Sequence, residues 1–576
     1  MNVAGLNFSI DSAAALLVDG RRVAASTEER FSRHKHDRDF PAAALSFCLS
    51  RAGLKASDVD EWAFFWNPGT HLEPMLTKQS SNFRHHAEFL YSVPNHILQR
   101  LGQPAVLATR QMFSLAGGKE LSVRYVDHHA AHAAAAFFNS PFERAAVLTV
   151  DGYGEKTSTG IWRAAGNKVE PVLRIEYPHS VGNFYAAFTQ YLGFKPNSGE
   201  GKVMGLACYG DRSLYEKARQ LVRLTDTGYE LDLTYFLSGL DRTTRYSPRL
   251  VELFGPARKP ETEITSHHEN VAAAMQLVTE DILLHLAKVA LRLTGEKDLC
   301  IAGGVALNVV CNRRIQFESG LDRMFVLPPA GDAGTSLGAA QYVSHVIHGE
   351  PRDPNEYLEY LGFENSDAEI RHQIVTAGAA HAHIDNIEQV TARLLAAGKI
   401  VGWFQGRSEF GPRALGNRSI VTDPRPAEMK DILNARVKFR EPFRPFAPSC
   451  LAEACGDLFE SGVPSPFMLR VYNTLPSRLK DLAAITHVDG GARVQTVTSS
   501  QNPRYYKLIQ EFGRLTGVPC VLNTSFNIRG EPIVNTVRDA MFCFFGTDMD
   551  YLAAGDYLVA KSPTALQEAL TGKRRD

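Results

Sequence analysis

At 576 residues the chain is longer than a single hydrophobic core usually grows, so two or three domains are expected. Hydrophobic residues make up 44% and charged residues 22%, an ordinary soluble composition, and a formal net charge of −1 argues against a nucleic-acid partner. The eight cysteines include no C-x-x-C pair, which argues against a zinc ribbon or a disulfide framework. With neither a signal peptide nor an apolar run of about 18 residues, we expect a cytoplasmic enzyme with no membrane partner.

The N-terminal segment predicts a three-stranded antiparallel start. Residues 3–7 and 13–18 have the pattern of a hairpin, and its connecting loop carries Asp11. Residues 22–27 predict a third strand, and the dense charged run 28–39 that follows is, taken alone, typical of a solvated turn. A helix at 41–52 and a strand at 59–66 come next. Residues 67–120 show little periodicity, and we expect an insertion that shapes a substrate pocket.

A histidine-bearing helix is the strongest local signal. The alanine-rich run 128–138 has a good N-cap in Asp127 and follows a predicted strand at 121–126. His128 and His132 are four residues apart, so they share one helix face, whereas His129 points about 100° away. Such a pair by itself more often belongs to a packed core than to a metal site.

Two carboxylates at strand ends strengthen the metal interpretation. A predicted strand at 145–150 ends at Asp151, and another at 325–327 leads into a glycine-bearing loop that contains Asp332. Two imidazoles with a carboxylate suit a first-row transition metal that keeps positions open for substrate.

Two glycine-bearing stretches predict anion or nucleotide contacts. Residues 198–202 lack the spacing of a Walker A loop, but they could bring backbone N–H groups and a lysine to an anion. A strand at 299–302 opens into a Gly-Gly turn before a helix, which allows close approach of a nucleotide. The candidate residues at these two loops are Glu200, Lys202, Gly303, Gly304 and Asn308.

The C-terminal part has a different character, with basic residues beside predicted strands. A polar, proline-bearing stretch at 349–359 predicts a linker; helices at 387–397 and 429–434 and strands at 400–404, 492–497 and 520–522 follow. Surface salt bridges are the usual role of arginine, but the Gly-Pro-Arg and Phe-Arg-Pro contexts favour binding of a polyanion. The candidates are Arg413, Arg418, Lys438, Arg444 and Arg493, with Asn523 and Ser525 at a strand end.

The order of these features resembles two known groups of proteins. The Asp-bearing hairpin, the strand-end Asp-Gly and the late Gly-Gly loop resemble the actin, hexokinase and chaperone ATPase (ASKHA) superfamily. Six motifs then resemble the antibiotic O-carbamoyltransferase family, which includes tobramycin and cephamycin carbamoyltransferases and a nodulation protein. They are EERFSRHKH (28–36), DHHAAH (127–132), NSGEGKVMGLACYG (197–210), GGVALN (303–308), GRSEFGPRALGNRS (406–419) and NTSFN (523–527).

This resemblance implies an α/β protein with two modules. Residues 1–350 would form an ASKHA-type carbamoyl-transfer domain similar to the tRNA threonylcarbamoyl transferase, residues 351–364 a linker, and residues 365–576 a YrdC-like α/β domain. In such enzymes the second module makes carbamoyladenylate from carbamoyl phosphate and ATP with Mg²⁺. The first module then transfers the carbamoyl group to a hydroxyl of a small-molecule, antibiotic-type acceptor. A homodimer is common in the family.

The resemblance also assigns roles to individual residues. The metal ligands would be His128, His132, Asp151 and Asp332, with iron(II) the expected ion, although other divalent ions would suit the same donors. The adenylate site would comprise Arg413, Arg418, Lys438, Arg444, Arg493, Asn523 and Ser525. Lys35 matches a family lysine that reaches the intermediate from the first domain, which replaces the solvated-turn interpretation of its loop.

One position departs from the family pattern. Family members commonly carry a histidine immediately before the aspartate of the first hairpin, whereas this chain has Ile10 before Asp11. An acceptor hydroxyl needs a base, and general-base help is typically worth ~10²–10⁴ in rate. Asp11 or an acidic residue nearer the acceptor would have to serve; otherwise the acceptor is unusual or the enzyme is slow.

Three other functions compete with this hypothesis. A tRNA threonylcarbamoyl transferase would use the same two modules, but the near-neutral charge and the motifs at 197–210 and 406–419 argue against it. A hydrogenase-maturation carbamoyltransferase should carry paired C-x-x-C motifs, which this sequence lacks. A nucleotide-binding scaffold without transfer chemistry would bind ATP but would not respond to carbamoyl phosphate.

Overall fold

A computed structural model describes residues 1–67, 107–114, 120–237, 243–353 and 359–571. The chain forms two compact units: Met1–Glu28 with His36–Glu356, and Glu29–Lys35 with Tyr357–Asp576. Most of the predicted insertion at 67–120, and residues 354–358 of the predicted linker, lie outside the described residues.

The first unit contains thirteen described strands. They are β1 (Asn2–Asn7), β2 (Ala13–Val18), β3 (Arg21–Thr27), β4 (Glu61–Phe64), β5 (Ala108–Ser114), β6 (Glu120–Val126), β7 (Arg144–Val150), β8 (Thr157–Ala165), β9 (Lys168–Glu176), β10 (Val222–Leu224), β11 (Tyr229–Leu231), β12 (Asp298–Ala302) and β13 (Arg323–Val326).

Ten α-helices are described before residue 342, and the first of them belongs to the second unit. They are α1 (Glu29–Ser32), α2 (Ala42–Arg51), α3 (His128–Phe138), α4 (Val181–Tyr191), α5 (Glu200–Ala207), α6 (Tyr215–Arg219), α7 (Pro248–Phe254), α8 (Ser266–Thr294), α9 (Val309–Glu318) and α10 (Ala333–Gln341).

The two large sheets of the first unit repeat one topology. The first has the order β3-β2-β1-β4-β6-β5 and the second β13-β12-β7-β8-β9. In each, an antiparallel three-stranded meander is extended by parallel strands beside its first strand: β4 and β6 in one sheet, β12 and β13 in the other. This duplicated α/β arrangement is the one expected of the actin and hexokinase class, so the predicted fold class is confirmed.

Two helices pack together beside these sheets and bring the loop ends into one place. Helix α3 packs against β7 and β12, helix α10 packs against β1 and β2, and the two helices contact each other. Their approach is close, because a Cβ atom on Gly338 would lie 1.9 Å from the carbonyl oxygen of Ala131. Helix α3 and the loops after β7 and β13 thereby meet at one site.

The second unit is built on one eight-stranded mixed sheet. The ten described strands of this unit are β14 (Ala380–His383), β15 (Val401–Phe404), β16 (Arg418–Thr422), β17 (Ala447–Leu451), β18 (Val471–Asn473), β19 (Gly491–Arg493), β20 (Gln495–Val497), β21 (Cys520–Ser525), β22 (Tyr551–Ala554) and β23 (Tyr557–Ala560). Its helices are α11 (Asp367–Thr376), α12 (Ile387–Ala396), α13 (Met429–Leu433), α14 (Cys455–Leu458), α15 (Pro503–Thr516), α16 (Val537–Phe545) and α17 (Pro563–Thr571). The sheet order is β14-β23-β22-β15-β16-β21-β17-β20, and β18 pairs with β19 separately.

Both faces of this sheet are covered by apolar packing. Trp403 and Val421 belong to one buried cluster, whereas their strand neighbours Phe404 and Ile420 belong to another. Because successive residues of a strand point to opposite faces, both sides of these central strands are buried. Two buried faces are what an α/β layer such as a YrdC-like module requires.

The predicted elements are largely confirmed, with three corrections. The strand predicted at 492–497 is two strands, β19 and β20, in different sheets. Asn523 lies inside β21 and Ser525 is its last residue, so neither follows the strand. The glycine-bearing stretch at 198–202 is a helix start rather than an open loop, since Glu200 begins α5. Among the described helices, none is long and apolar enough to cross a membrane.

Candidate functional site

The four predicted metal ligands of the first unit converge. His132 Nε2 lies 3.0 Å from Asp151 Oδ2, and His128 Nε2 lies 3.8 Å from the same oxygen. Asp332 Oδ1 lies 3.9 and 4.0 Å from the two histidine Nε2 atoms. The ligand atoms all lie within 4.8 Å of one another, which we call the His-Asp cluster. Two imidazoles and two carboxylates at this spacing surround the volume of one ion.

The electrostatics of the His-Asp cluster fit a bound cation. Both ring nitrogens of His128 and Nδ1 of His132 are buried without a hydrogen-bond partner among the described residues. Burial and the charge of Asp151 raise the pKa of the Asp332 carboxyl. Burial opposes ionisation of Asp151, but its close contacts with the rings of His128 and His132 hold its pKa well below the usual range. Orphaned imidazole nitrogens beside crowded carboxylates are the donor set that a divalent metal satisfies.

Neighbouring loops hold the carboxylate ligands in place. The N–H of Gly304 donates to Asp151 Oδ2 at 3.1 Å, so the Gly-Gly turn supports a ligand of the His-Asp cluster. Ser9 Oγ donates to Asp332 Oδ2 at 2.6 Å, and Asn7 Nδ2 donates to the Asp332 carbonyl at 2.6 Å. The hairpin loop after β1 therefore fixes one ligand, and the loop after β12 fixes another.

A buried carboxyl that the sequence did not reveal lies beneath the histidine helix. Glu155 Oε1 accepts the backbone N–H groups of Asn67 at 2.6 Å and of His128 at 3.1 Å. Burial and the charge of Asp127 raise the pKa of Glu155 to about 8. Nothing in the local sequence distinguished Glu155 from a surface glutamate; only the fold brings it to the start of α3.

Other first-unit candidates have local structural contacts. His129 bonds to Thr149 and to the carbonyl of Thr157, away from the His-Asp cluster, as its position on the helix predicted. Asn308 caps α9 by accepting the N–H of Cys311, and the ammonium of Lys202 lies 5.6 Å from the ring centre of Phe194. Glu200 accepts the N–H of Asn197, and burial raises its pKa.

In the second unit, arginines gather with few counter-charges. We call Arg413, Arg440, Arg444 and Arg493 the arginine cluster. Burial first, and then the charges of the other three, depress the pKa of Arg493 well below its usual value. Burial and the Arg444 charge lower the pKa of Arg413 to about 10. Arg440 was absent from the sequence prediction, because no strand end or glycine-proline context marks it.

The arginine cluster has unmet hydrogen-bonding capacity. The Nε atoms of Arg413 and Arg493 are buried and have no hydrogen-bond partner in the parts of the chain that the structure describes. Arg444 forms a long ion pair with Glu441, at 3.6 Å. Buried guanidinium groups that repel one another are costly unless an anion joins them, and phosphate oxygens are acceptors that would satisfy their free N–H groups.

Lys438 lies beside this cluster, on the π-helical turn Asn434–Lys438 that continues α13. Its ammonium donates to the carbonyl and side-chain oxygens of Asn527, both at 2.9 Å, and to Ser525. Burial, followed by the charges of Arg440, Arg444 and Lys35, lowers its pKa well below the usual value. Asn523 Nδ2 bonds to Ser449 at 2.9 Å and to the carbonyl of Ala414, next to Arg413.

Arg418 has a different environment from the rest of the set. Its side chain is fully buried, stacks 3.8 Å from the ring centre of Phe404, and donates to five backbone carbonyls. Those acceptors are the carbonyls of Phe363, Gln405, Gly406, Asn417 and Asn535. These contacts tie the 406–419 loop to its surroundings.

The charged run at 28–36 divides between the units. Residues Glu29–Lys35 group with the second unit, where Arg33 donates to the carbonyls of Pro532 and Ile533. His36 returns to the first unit, where its Nδ1 lies 2.8 Å from Asp11 Oδ1. The chain thus places Lys35 with the basic residues of the second unit and His36 with the first hairpin.

Comparisons with known proteins agree with the motifs. The family model described as Carbamoyltransferase N-terminus matches residues 2–341, and that described as Carbamoyltransferase C-terminus matches residues 392–561. The Nodulation protein NolNO of Sinorhizobium fredii is 38% identical, in an alignment that covers 96% of this chain and 79% of that protein. An uncharacterized protein of Synechocystis sp. is 41% identical, in an alignment that covers 97% of this chain and 96% of that protein.

A solved structure of HypF from T. kodakarensis aligns over 61% of this chain and 48% of that chain at 12% identity, but a TM-score of 0.31 is too low to support a conclusion. The sequence matches span both halves of the chain, and they confirm the family predicted from the motifs. The chain belongs to the carbamoyltransferase family and is a carbamoyltransferase, an enzyme that moves a carbamoyl group from a donor to an acceptor.

Proposed function

We propose that the chain is an ATP-dependent O-carbamoyltransferase acting on a hydroxyl of a small-molecule natural product. The second unit would first use water to hydrolyse carbamoyl phosphate to carbamate and phosphate. A carbamate oxygen would then attack the α-phosphorus of ATP, held with Mg²⁺, to form carbamoyladenylate as pyrophosphate leaves. The first unit would then direct an acceptor hydroxyl to the carbamoyl carbon of carbamoyladenylate, and AMP would leave.

The arginine cluster is the observation that carries this proposal. Two of its members have buried Nε atoms without partners among the described residues, and burial, followed by repulsion from neighbouring arginines, depresses their pKa values. Carbamoyl phosphate and the triphosphate of ATP are both polyanions, and guanidinium groups bind phosphate oxygens through paired, charge-assisted N–H donors. As negative charge moves to the leaving pyrophosphate, the same donors would stabilise it.

Individual residues of the second unit would divide this work. Arg413, Arg444 and Arg493 would hold phosphate groups, with Arg440 as an additional donor. Lys438 would keep the 525–527 turn in position through its contacts with Asn527 and Ser525. Lys35 would add a positive charge, and Asn523 would order the strand beneath. Arg418 would act at a distance by fixing the loop that carries Arg413.

The His-Asp cluster would hold a divalent metal, for which iron(II) is our proposed ion. His128, His132, Asp151 and Asp332 supply the donors, and the partnerless imidazole nitrogens support the fit. A bound ion would act as a Lewis acid toward oxygens that gain negative charge. The chain's own contribution is to orient these donors, through the Gly304 N–H on Asp151 and the Ser9 hydroxyl on Asp332.

Pyrophosphate release tests the adenylation step. We expect release from ATP and Mg²⁺ to depend on carbamoyl phosphate in the wild type and to fall about 10²-fold or more in Arg413→Ala, because a donor to the transferring phosphate is lost. Arg425→Ala is the matched control, since Arg425 is in the same unit but is already paired with Asp423 at 2.7 Å.

Two results would contradict the proposal. If a folded wild type releases pyrophosphate at the same rate with and without carbamoyl phosphate, the chain is a nucleotide-binding scaffold that lacks this chemistry. Equal losses in Arg413→Ala and Arg425→Ala would remove the special role of the arginine cluster. Given carbamoyl-phosphate dependence, a panel of aminoglycosides, nucleosides and macrolide sugars, scored for carbamate by mass spectrometry, would identify the acceptor class.

A further inference from the structure

The first hairpin presents a carboxylate and an imidazole to each other. Asp11 lies in the β1–β2 loop, and its Oδ1 is 2.8 Å from Nδ1 of His36. The two side chains are 35% and 32% exposed, so solvent and small molecules reach both. In a neutral imidazole, a carboxylate that accepts a hydrogen bond from Nδ1 favours the tautomer with the proton on Nδ1 and the lone pair on Nε2.

The backbone holds His36 in an uncommon conformation to make this contact. Its φ is 56°, in the left-handed region that L-residues rarely adopt. The N–H of Ser12 donates to the Asp37 carbonyl at 2.9 Å, which fastens the segment after His36 to the same loop as Asp11. Conformations of this kind persist where the surroundings over-determine them, often at functional sites.

The same loop is joined to the His-Asp cluster. Asn7 Nδ2 donates both to the Asp11 carbonyl, at 3.2 Å, and to the Asp332 carbonyl, at 2.6 Å. Ser9, two residues before Asp11, donates to the Asp332 carboxylate. One asparagine side chain therefore links the Asp11 backbone to a residue of the cluster, and the Asp11–His36 pair lies on the loop that supports this site.

We propose that His36, oriented by Asp11, is the general base that activates the acceptor hydroxyl, an assignment that rests on the proposed function. Nε2 of His36 would take the hydroxyl proton as the alcohol oxygen bonds to the carbamoyl carbon. The bond between that carbon and the AMP phosphate oxygen breaks, and AMP leaves with the electron pair. His36 then releases the proton to solvent. Asp11 is a positioning residue that keeps Nδ1 protonated.

This assignment answers the problem that Ile10 raises. The side chain at position 10 cannot accept a proton. The Asp11 carboxylate is already bonded to His36 Nδ1, whereas an imidazole nitrogen can accept a proton from a hydroxyl that it contacts. The base comes from a distant part of the sequence, 25 residues after its orienting carboxylate.

The test separates adenylation from transfer in the full chain. With ATP, Mg²⁺ and carbamoyl phosphate present, pyrophosphate release reports the first step. AMP release as a function of glycerol concentration, with glycerol as the probe alcohol, reports the second. We expect His36→Ala to keep pyrophosphate release and to lower the slope of AMP release against glycerol by ~10²-fold or more. Added imidazole should restore much of this slope, because the removed base is accessible.

Asp11→Asn should lower the same slope without rescue by imidazole, since His36 is still present but no longer oriented. His34→Ala and Asp39→Asn are matched controls: both residues are exposed and close in sequence. Absence of carbamoyl-phosphate-dependent pyrophosphate release in the wild type would overturn the proposed function and this assignment with it. Intact pyrophosphate release with a slope unchanged in His36→Ala, a loss that imidazole does not restore, or a wild-type rate insensitive to glycerol would overturn the assignment alone.

Discussion

Arg413 and Arg418 are five residues apart on one loop, yet their surroundings give them opposite energetic roles. Arg418 is surrounded by backbone carbonyls that accept its N–H groups, so its side chain is part of the folded structure of the loop. Arg413 has a buried Nε without a partner among the described residues and lies close to other cations. Its charged side chain is therefore not stabilised by these contacts in the folded state. A group that binding requires, and that folding does not, is the usual signature of a ligand contact.

This contrast predicts different effects on stability. We expect Arg418→Ala to lower the free energy of unfolding by at least about 3 kcal/mol, because several buried carbonyls lose their donors and Phe404 loses its packing partner. Arg413→Ala should leave that free energy unchanged or raise it, while abolishing pyrophosphate release. Urea denaturation of the two variants measures the difference; equal destabilisation by both would contradict it.

The sequence predicted some of the side chains that come together at the two clusters, but it did not predict all of their roles. The pattern at 128–132 identified the two histidines of the His-Asp cluster because helical periodicity fixes which residues share a face. It did not distinguish Arg413 from Arg418, because four of the five carbonyls that accept from Arg418 lie in three other parts of the chain. It did not identify Glu155 or the partner of Asp11, because neither is close in sequence to the residue it contacts.

The turn between β12 and the following helix is the element on which the His-Asp cluster depends most. Gly303 has φ of 95°, and a Cβ atom there would lie 2.1 Å from the carbonyl oxygen of Val150. The turn then presents the Gly304 N–H to Asp151 at 3.1 Å. Strand β7 ends beside this turn. The close approach of the turn to the end of β7 therefore orients the Asp151 carboxylate.

We therefore expect Gly303→Ala to destabilise the first unit by about 2–4 kcal/mol, through both backbone strain and overpacking against β7. Metal affinity should fall with it, since Asp151 loses its orienting N–H. Gly331→Ala is the matched control, because no atom lies within 4 Å of the added Cβ. Calorimetry measures the stability of the two variants, and metal titration measures their metal affinity. If Gly303→Ala is as stable as Gly331→Ala, this role of the turn is refuted.

Element types followed from local pattern, but sheet membership did not. Residues 492–497 have the alternation of one strand, yet Val494 separates a short strand paired with β18 from one paired with β17. Periodicity reports which residues are extended, and it cannot report the partner strand. For the same reason the sequence predicted a strand ending before Asn523, whereas pairing with β16 and β17 extends β21 to Ser525.

On the scale of the whole molecule, each unit carries its own constellation of charge. The His-Asp cluster of the first unit combines imidazoles with excess carboxylate, and the arginine cluster of the second combines cations with few anions. A cation in the first cluster and a polyanion in the second would suit the two half-reactions of the proposed function. The neutral overall charge of the chain conceals this division.

The two half-reactions should therefore be separable by single substitutions. We expect Asp151→Asn to lower metal affinity at least ~10²-fold and to stop carbamoyl transfer, while carbamoyl-phosphate-dependent pyrophosphate release continues. Arg413→Ala should show the converse: normal metal content and no pyrophosphate release. Elemental analysis and the pyrophosphate assay on the same preparations test this. Loss of pyrophosphate release in a folded Asp151→Asn protein would mean that the sites are not independent.

The sequence by itself determined the family and the α/β class, and it predicted the four side chains of the His-Asp cluster and three of the four arginines of the arginine cluster. Motif spacing, helical periodicity and strand-end position made this possible, because they are local properties. Only the tertiary structure showed that the first unit repeats one sheet topology, since the two copies share strand order without a recognisable sequence repeat. Only the fold brought Glu155 to His128, Arg440 to Arg493 and His36 to Asp11. Those contacts join residues distant along the chain, and their chemistry depends on burial and proximity that no local pattern encodes.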